Sequence, residues 1–115
     1  MNNKHVLRAL AALAQDSRLA VFRLLVQRGP EGCAAGEIGE RLGIPGPTLS
    51  FHLKELAQAG LVSPRKQGRF IHYAPAFERM NELVAYLTDN CCSQGSVCAT
   101  ACTPRKRARR NRSSD

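Results

Sequence analysis

The spacing of apolar residues predicts five helices. Leucine, valine and alanine recur every three or four residues in the first two segments, which end near Asp16 and at Arg28. The Asp16 side chain can cap the second helix, and Gly29 followed by Pro30 is the order expected after a helix C-terminus. Further helices are expected over residues 35–42, 47–59 and 77–87, with Gly43 closing the first of these and Pro47 opening the second.

The pattern changes to short strands between the fourth and fifth helices. Residues 62–65 and 70–73 flank a glycine turn at Gly68 and predict a two-stranded hairpin. Helix, short helix, turn, helix and basic hairpin is the order of a winged helix-turn-helix, whose second helix of the pair enters the DNA major groove. We therefore expect a mainly α fold with about five helices and a small β wing.

The fourth helix predicts the surface that reads DNA. Its leucines fall on one side of a helical wheel, whereas Phe51 and Lys54 point away and Ser50 and His52 lie on the flanks. An exposed phenylalanine can contact a thymine methyl group, and hydroxyl and basic groups suit base edges or phosphates. The candidate contacts are Thr48, Ser50, Phe51, His52 and Lys54 on the helix, with Arg65, Lys66, Gln67 and Arg69 on the wing. A plain solvated surface is the alternative for each.

Charge favours a polyanionic partner. The chain carries a formal net charge of +8, and six basic residues with Asp115 give residues 103–115 a net +5, which leaves only +3 on residues 1–102. This basic tail is either a solvated extension or a nonspecific DNA clamp. No apolar run reaches the roughly 18 residues that span a bilayer, and no signal peptide is evident, so a cytoplasmic protein without a membrane partner is expected.

Two longer segments carry a family resemblance. Residues 49–62, Leu-Ser-Phe-His-Leu-Lys-Glu-Leu-Ala-Gln-Ala-Gly-Leu-Val, and residues 65–73, Arg-Lys-Gln-Gly-Arg-Phe-Ile-His-Tyr, resemble the ArsR/SmtB repressors. The similarity runs from about residue 6 to residue 98. It implies a homodimer on palindromic operator DNA, with the first and last helices at the interface. The apolar residues expected there are Leu7, Leu10, Met80, Leu83, Val84 and Leu87.

Four of the five cysteines lie between positions 91 and 102. The order Cys91, Cys92, five residues, Cys98 is similar to an arsenite-responsive branch of the family, whereas the cysteine motif that opens the third helix in other members is missing at Ala34 to Glu37. The resemblance gives these three cysteines the ligand role. Arsenite and antimonite are soft and bind three thiolates, which agrees with it. Cys33 is expected to be a small buried hydrophobe.

Other uses of the cysteine cluster remain open. Cys102 could complete a four-ligand zinc or cadmium site, and neighbouring thiols could serve as a redox switch. Against oxidation, the helix C-terminus and Asp89 are expected to raise the thiol pKa of Cys91 and Cys92.

The sequence therefore predicts a transcriptional repressor rather than an enzyme, since no nucleotide loop or nucleophile elbow is present. Operator DNA is the expected partner, and arsenite, antimonite or methylarsenite is the expected inducer, with no organic cofactor. The alternative is a redox-sensing or Cd/Zn-sensing repressor of the same fold. The expected organisation is a DNA-binding and dimerisation domain over 1–90, a cysteine segment over 91–102 and a basic tail over 103–115.

Overall fold

The computed structural model describes residues 1–94, which form five helices and three strands. The helices are α1 (Asn3–Leu13), α2 (Asp16–Arg28), α3 (Ala35–Leu42), α4 (Gly46–Gln58) and α5 (Phe77–Leu87). The strands are β1 (Cys33–Ala34), β2 (Val62–Gln67) and β3 (Phe70–Pro75). The predicted helical fold with a hairpin wing is confirmed.

Side chains from the preceding residue cap the first two helices. The Asn2 side-chain oxygen accepts a hydrogen bond from the His5 backbone N–H at 2.9 Å, and Gln15 does the same for Arg18 at 2.9 Å. The prediction that Asp16 caps α2 is therefore wrong. Asp16 is instead the first residue of α2, where its carboxylate meets the positive end of the helix dipole.

The two helices of the helix-turn-helix are α3 and α4. Helix α3 has the predicted bounds, and Gly43 closes it in the left-handed conformation at a φ of 66°. Helix α4 begins at Gly46, one residue earlier than expected, because Pro45 is extended and forms the N-cap. Pro47 then falls in the first turn, where its missing N–H leaves no hydrogen bond unmade.

The three strands form one antiparallel sheet in the order β1-β3-β2. The sequence predicted the β2–β3 hairpin but missed β1, because a two-residue strand is too short to show alternation. Cys33 pairs with Tyr73, and Gly32 immediately before it has a φ of 81°. A Cβ at position 32 would lie 2.6 Å from the Tyr73 carbonyl oxygen, so only glycine fits.

The core lies between α4 and the other elements. Leu53 and Leu56 of α4 are buried together with Leu25 of α2 and Ile38 of α3. Cys33 is 1% exposed within the same cluster, which confirms the prediction of a small buried hydrophobe. At the base of the wing Val62 is buried, while the rest of β2 is exposed, so the hairpin projects from the core.

Within residues 1–94, no helix combines the length and the apolar character needed to cross a bilayer.

Candidate functional site

One side of α4 faces solvent. Phe51 is 55% exposed, and Thr48, Ser50 and Lys54 are exposed as well. Leu49, Leu53 and Leu56 hold the opposite side of the helix in the core. The structure thus places four of the five predicted helix contacts on the open surface.

His52 is the exception. Its side chain is only 7% exposed, and its ring Nδ1 lies 3.3 Å from Nη1 of Arg18. His52 was predicted among the DNA contacts, but position 52 follows Leu49 by about one helical turn, so its side chain lies on the buried side of α4. A contact of His52 with DNA stays a prediction. The sequence missed Arg18, which carries no motif and meets His52 only through the tertiary fold.

All four predicted contacts on the wing are exposed. The Arg65, Lys66, Gln67 and Arg69 side chains lie on or next to the β2–β3 turn. The Arg65 guanidinium Nη2 also donates to the carbonyl oxygen of Pro30, which ties the wing to the loop after α2. The wing is therefore a basic projection with an anchored base.

Two apolar side chains at the wing were also missed by the sequence. Phe70 is 65% exposed and Ile71 is 47% exposed. As neighbours on β3 they point to opposite faces of the hairpin, and both remain open because this end of the hairpin carries no covering layer. In the sequence they directly follow the basic turn, and this position could have indicated that they are exposed on the wing.

Helices α1 and α5 share an exposed apolar surface. Tyr86 of α5 donates its hydroxyl to the Asn3 side chain of α1 at 3.2 Å, so the two helices lie side by side. The apolar residues exposed there are Leu7 (59%), Leu10 (38%), Val84 (55%) and Leu87 (58%). Clustered exposed leucines and valines indicate an interaction surface.

The other two predicted interface residues point inward. Leu83 is only 6% exposed and belongs to the core, and Met80 is partly buried against it. Leu83 was predicted at the dimer interface, but position 83 lies on the side of α5 that packs on its own protomer. Its part in an interface stays a prediction.

Cys91 and Cys92 lie close together after α5. Their Sγ atoms are 3.4 Å apart, and both side chains are exposed. The backbone turns twice here, with Cys91 N–H donating to Thr88 O at 3.1 Å and Ser93 N–H donating to Asn90 O at 3.0 Å. Cys98, Cys102 and the basic tail lie outside the described residues.

The Cys91 thiol controls the protonation of its neighbour. A hydrogen bond with Cys91 raises the pKa of the Cys92 thiol above its ordinary value of 9.0. The direction agrees with the sequence-based expectation for Cys92, but the main cause is the adjacent thiol rather than the helix end. A raised pKa lowers the thiolate fraction of Cys92 at neutral pH, which slows attack on peroxide.

The cysteine pair supplies two soft ligands at most. Among residues 1–94, no three His, Cys, Asp or Glu side chains converge as a metal site. The pair by itself therefore offers fewer thiolates than the three that a pyramidal arsenite or antimonite site uses.

Comparisons with known proteins agree with this fold. A helix-turn-helix domain model matches residues 13–65. An uncharacterised HTH-type transcriptional regulator of Bacillus subtilis is 45% identical over 58 residues, which cover 50% of this chain and 57% of that protein. A probable mercury resistance operon repressor of Streptomyces lividans is 32% identical over 98 residues, covering 85% of this chain and 74% of the relative.

A third relative is named for arsenic. An arsenic resistance transcriptional regulator of Pseudomonas putida is 36% identical over 61 residues, covering 53% of this chain and 46% of that protein. The chain therefore matches only about half the length of the Bacillus and Pseudomonas relatives.

A solved structure covers most of the chain. The homodimeric winged helix-turn-helix DNA-binding domain of a possible ArsR-family regulator from Mycobacterium bovis is 30% identical, with a TM-score of 0.61. The match covers 84% of this chain and 89% of that domain. The chain belongs to the ArsR family of winged helix-turn-helix transcriptional regulators.

Proposed function

We propose that the chain is a repressor that binds operator DNA as a homodimer and is released by arsenite, antimonite or methylarsenite bound at Cys91, Cys92 and Cys98. The observation that carries the DNA-binding part is the pairing of an open α4 face with a basic wing on the same fold. The release part rests on the paired thiols that follow α5.

The DNA-binding surface joins two elements with different tasks. Phe51 and Ser50 of α4 reach base edges in the major groove, where a thymine methyl group accepts apolar contact. Lys66 and Arg69 at the wing turn contact phosphates, which position the protein without reading sequence. Together these contacts give one half-site of an operator.

The second half-site comes from a second copy. Four exposed apolar residues of α1 and α5 are covered when two copies meet, and the Mycobacterium domain of the same fold is homodimeric. A two-fold dimer places its reading helices about 34 Å apart, one turn of DNA. The operator is accordingly a palindrome.

The cysteine segment connects the inducer to this dimer. Cys91 follows α5 by a single turn, and α5 carries Val84 and Leu87 of the proposed interface. Drawing Cys98 towards the Cys91–Cys92 pair constrains the end of α5 and alters the half-site spacing. A shift from 99% to 1% operator occupancy requires about 5.5 kcal/mol of differential binding, shared between the two sites of a dimer.

Fluorescence anisotropy on the DNA upstream of the chain's own gene tests this proposal. Arsenite, antimonite, methylarsenite, cadmium, zinc and peroxide are added separately to the preformed complex. We expect tight, salt-sensitive binding and release by the trivalent arsenicals or antimonite. Release by peroxide alone would favour the redox alternative, and release by cadmium or zinc alone would favour the divalent-metal alternative.

Cysteine variants then locate the site. Cys98→Ser is expected to bind DNA like the wild type but to resist release by arsenite. Cys33→Ala is the matched control, because Cys33 is buried in the core and its loss is expected to leave release unchanged. Cys102→Ser decides whether a fourth thiol takes part. Release lost in Cys33→Ala but kept in Cys98→Ser would place the site elsewhere.

A mercury sensor is the second candidate. The Streptomyces relative that covers 85% of this chain is named for mercury resistance, and mercuric ion is a soft ion suited to thiolate ligands. The Sγ atoms of Cys91 and Cys92 already lie 3.4 Å apart. Release by mercuric ion that persists in Cys98→Ser, without release by arsenite, would favour this candidate.

A further inference from the structure

We propose that Arg18 is a positioning residue that fixes the rotation of α4 relative to α1, and thereby the spacing of the two reading helices in the dimer. The inference rests on the proposed DNA-binding dimer. It assigns a role to a side chain that contacts neither the proposed DNA surface nor the proposed interface.

The Arg18 guanidinium bridges two helices other than its own. Its Nε donates to the carbonyl oxygen of Ala12 in the last turn of α1 at 2.7 Å. Its Nη1 lies 3.3 Å from Nδ1 of His52 on α4. The Gln15 side chain caps the Arg18 backbone N–H at 2.9 Å, so the residue is held at its backbone as well.

The polarity of the second contact is fixed by chemistry. A guanidinium only donates hydrogen bonds, so Arg18 is the donor and His52 Nδ1 is the acceptor. Glu55 of α4 lines the same groove as Arg18, together with Arg8 of α1. Even so, no carboxylate of residues 1–94 forms an ion pair with Arg18. Arg18 therefore acts through two directed hydrogen bonds.

The Arg18–His52 hydrogen bond adds a directed contact to the apolar packing of α4. Leu49, Leu53 and Leu56 hold α4 in place through apolar burial, which is proportional to area and does not define a direction. Hydrogen bonds prefer a narrow range of angles. The contact between Arg18 and His52 therefore adds a directional constraint on the rotation of α4 to the packing of its leucines.

The two ends of this bridge lie beside the two functional surfaces. Ala12 is on α1, whose open side carries Leu7 and Leu10 of the proposed interface. His52 precedes Leu53 and follows Phe51, and the Phe51 and His52 ring centroids are 5.7 Å apart. Through Arg18 and His52, the position of Phe51 on the proposed DNA surface therefore depends on the position of α1, the helix that carries the proposed interface.

Anisotropy with spacing variants of the operator tests the proposal. The DNA is the upstream segment that the wild type protects in a footprint, together with versions that have one base pair inserted or deleted between half-sites. In Arg18→Met we expect affinity for the native spacing to fall about tenfold and the preference over the altered spacings to shrink. Arg23→Met removes the same charge from an exposed position on α2 and is expected to match the wild type.

Substitutions at His52 test the partner. His52→Asn keeps an acceptor near the Nδ1 position and is expected to retain spacing preference, whereas His52→Leu loses it. The Arg18→Met/His52→Leu double variant should be no worse than Arg18→Met, because Arg18→Met already removes the Arg18–His52 contact that His52→Leu breaks. Thermal melts at equal protein concentration accompany each measurement. Arg18→Lys, which keeps a cation but cannot bridge both partners, replaces Arg18→Met if that variant does not fold.

The outcomes separate the two proposals. A wild type that does not bind its upstream DNA overturns the proposed function and this inference with it. Tight binding by the wild type with unchanged affinity and spacing preference in the Arg18 variants overturns only the positioning role. A lowered melting temperature with unchanged spacing preference also overturns it, because it assigns Arg18 to stability alone.

Discussion

Gly32 shows how a single missing Cβ shapes the sheet. It lies where the chain enters β1, with a φ of 81°, and a Cβ there would lie 2.6 Å from Tyr73 O and 3.1 Å from Tyr73 C. Both atoms belong to the β3 backbone, so neither can move aside as a flexible side chain would. The close approach of β1 to the wing depends on this residue.

Gly32→Ala is therefore expected to lower the free energy of unfolding by about 2–4 kcal/mol, through left-handed strain and a backbone clash together. Gly43→Ala is the control, because Gly43 has a φ of 66° but open space around it. That variant should cost about 1 kcal/mol. Urea unfolding followed by circular dichroism at fixed protein concentration measures both. Equal losses would contradict the clash.

Cys92 gives a pH prediction at the same scale. The hydrogen bond with Cys91 raises the pKa of the Cys92 thiol, so a smaller fraction of the reactive thiolate is present at a given pH. Removing the partner in Cys91→Ala should lower the pKa of Cys92 and speed its alkylation at pH 8. Peptide mass spectrometry of iodoacetamide labelling against pH measures the rate. Slower labelling in the variant would show that Cys91 has the opposite effect.

Helix α5 divides its apolar residues between two destinations. Leu83 is 6% exposed in the protomer core, whereas its neighbour Val84 is 55% exposed. Adjacent positions on a helix point about 100° apart, so one helix can seal its own protomer and meet a second copy. The hydrophobic stripe in the sequence showed the helix but not this division.

Glutamate substitutions separate the two roles. Val84→Glu is expected to yield a folded monomer. The new carboxylate stays in water on the protomer surface, whereas dimerisation would bury it and remove its hydration. Leu83→Glu places the same charge in the core and should unfold the protomer. Sedimentation velocity gives the mass and circular dichroism gives the fold. A dimeric Val84→Glu variant would contradict the interface proposed for α5.

At the scale of the whole molecule, the proposed two-fold symmetry doubles every wing contact. The chain carries a net charge of +8, and each wing presents Lys66 and Arg69 at its turn. Phosphate contacts release counterions, so the affinity for DNA falls linearly with salt on a logarithmic scale.

Arg69→Ala removes one proposed phosphate contact from each protomer of the dimer. The slope of log affinity against log salt should fall by about two, with affinity lowered similarly for matched and mismatched operators. Anisotropy titrations between low and moderate salt measure the slope. An effect confined to one operator sequence would show that Arg69 reads a base instead.

The sequence alone was sufficient for the five helices, for the β2–β3 hairpin and for the fold class. Helical spacing of apolar residues located all five helices, and Gly43 and Gly68 marked a helix end and a turn, because these signals act within a few residues of one another. The burial of Cys33 was predicted on the same local grounds. The family resemblance led to the ligand hypothesis for Cys91, Cys92 and Cys98, which stays a prediction for all three, as does the possible fourth ligand Cys102. The domain boundaries stay predictions as well.

The tertiary structure decided which side of each helix is used. His52 was expected on the flank of α4, but its side chain is buried against Arg18. Leu83 was expected at the interface, but it lies in the core of its own protomer. Two-residue β1 also formed only because β3 offered it a partner. These outcomes depend on residues distant along the chain, such as Arg18 and His52. Periodicity reports only neighbours within a helical turn or two, so it determined that a side is apolar but not what that side would meet.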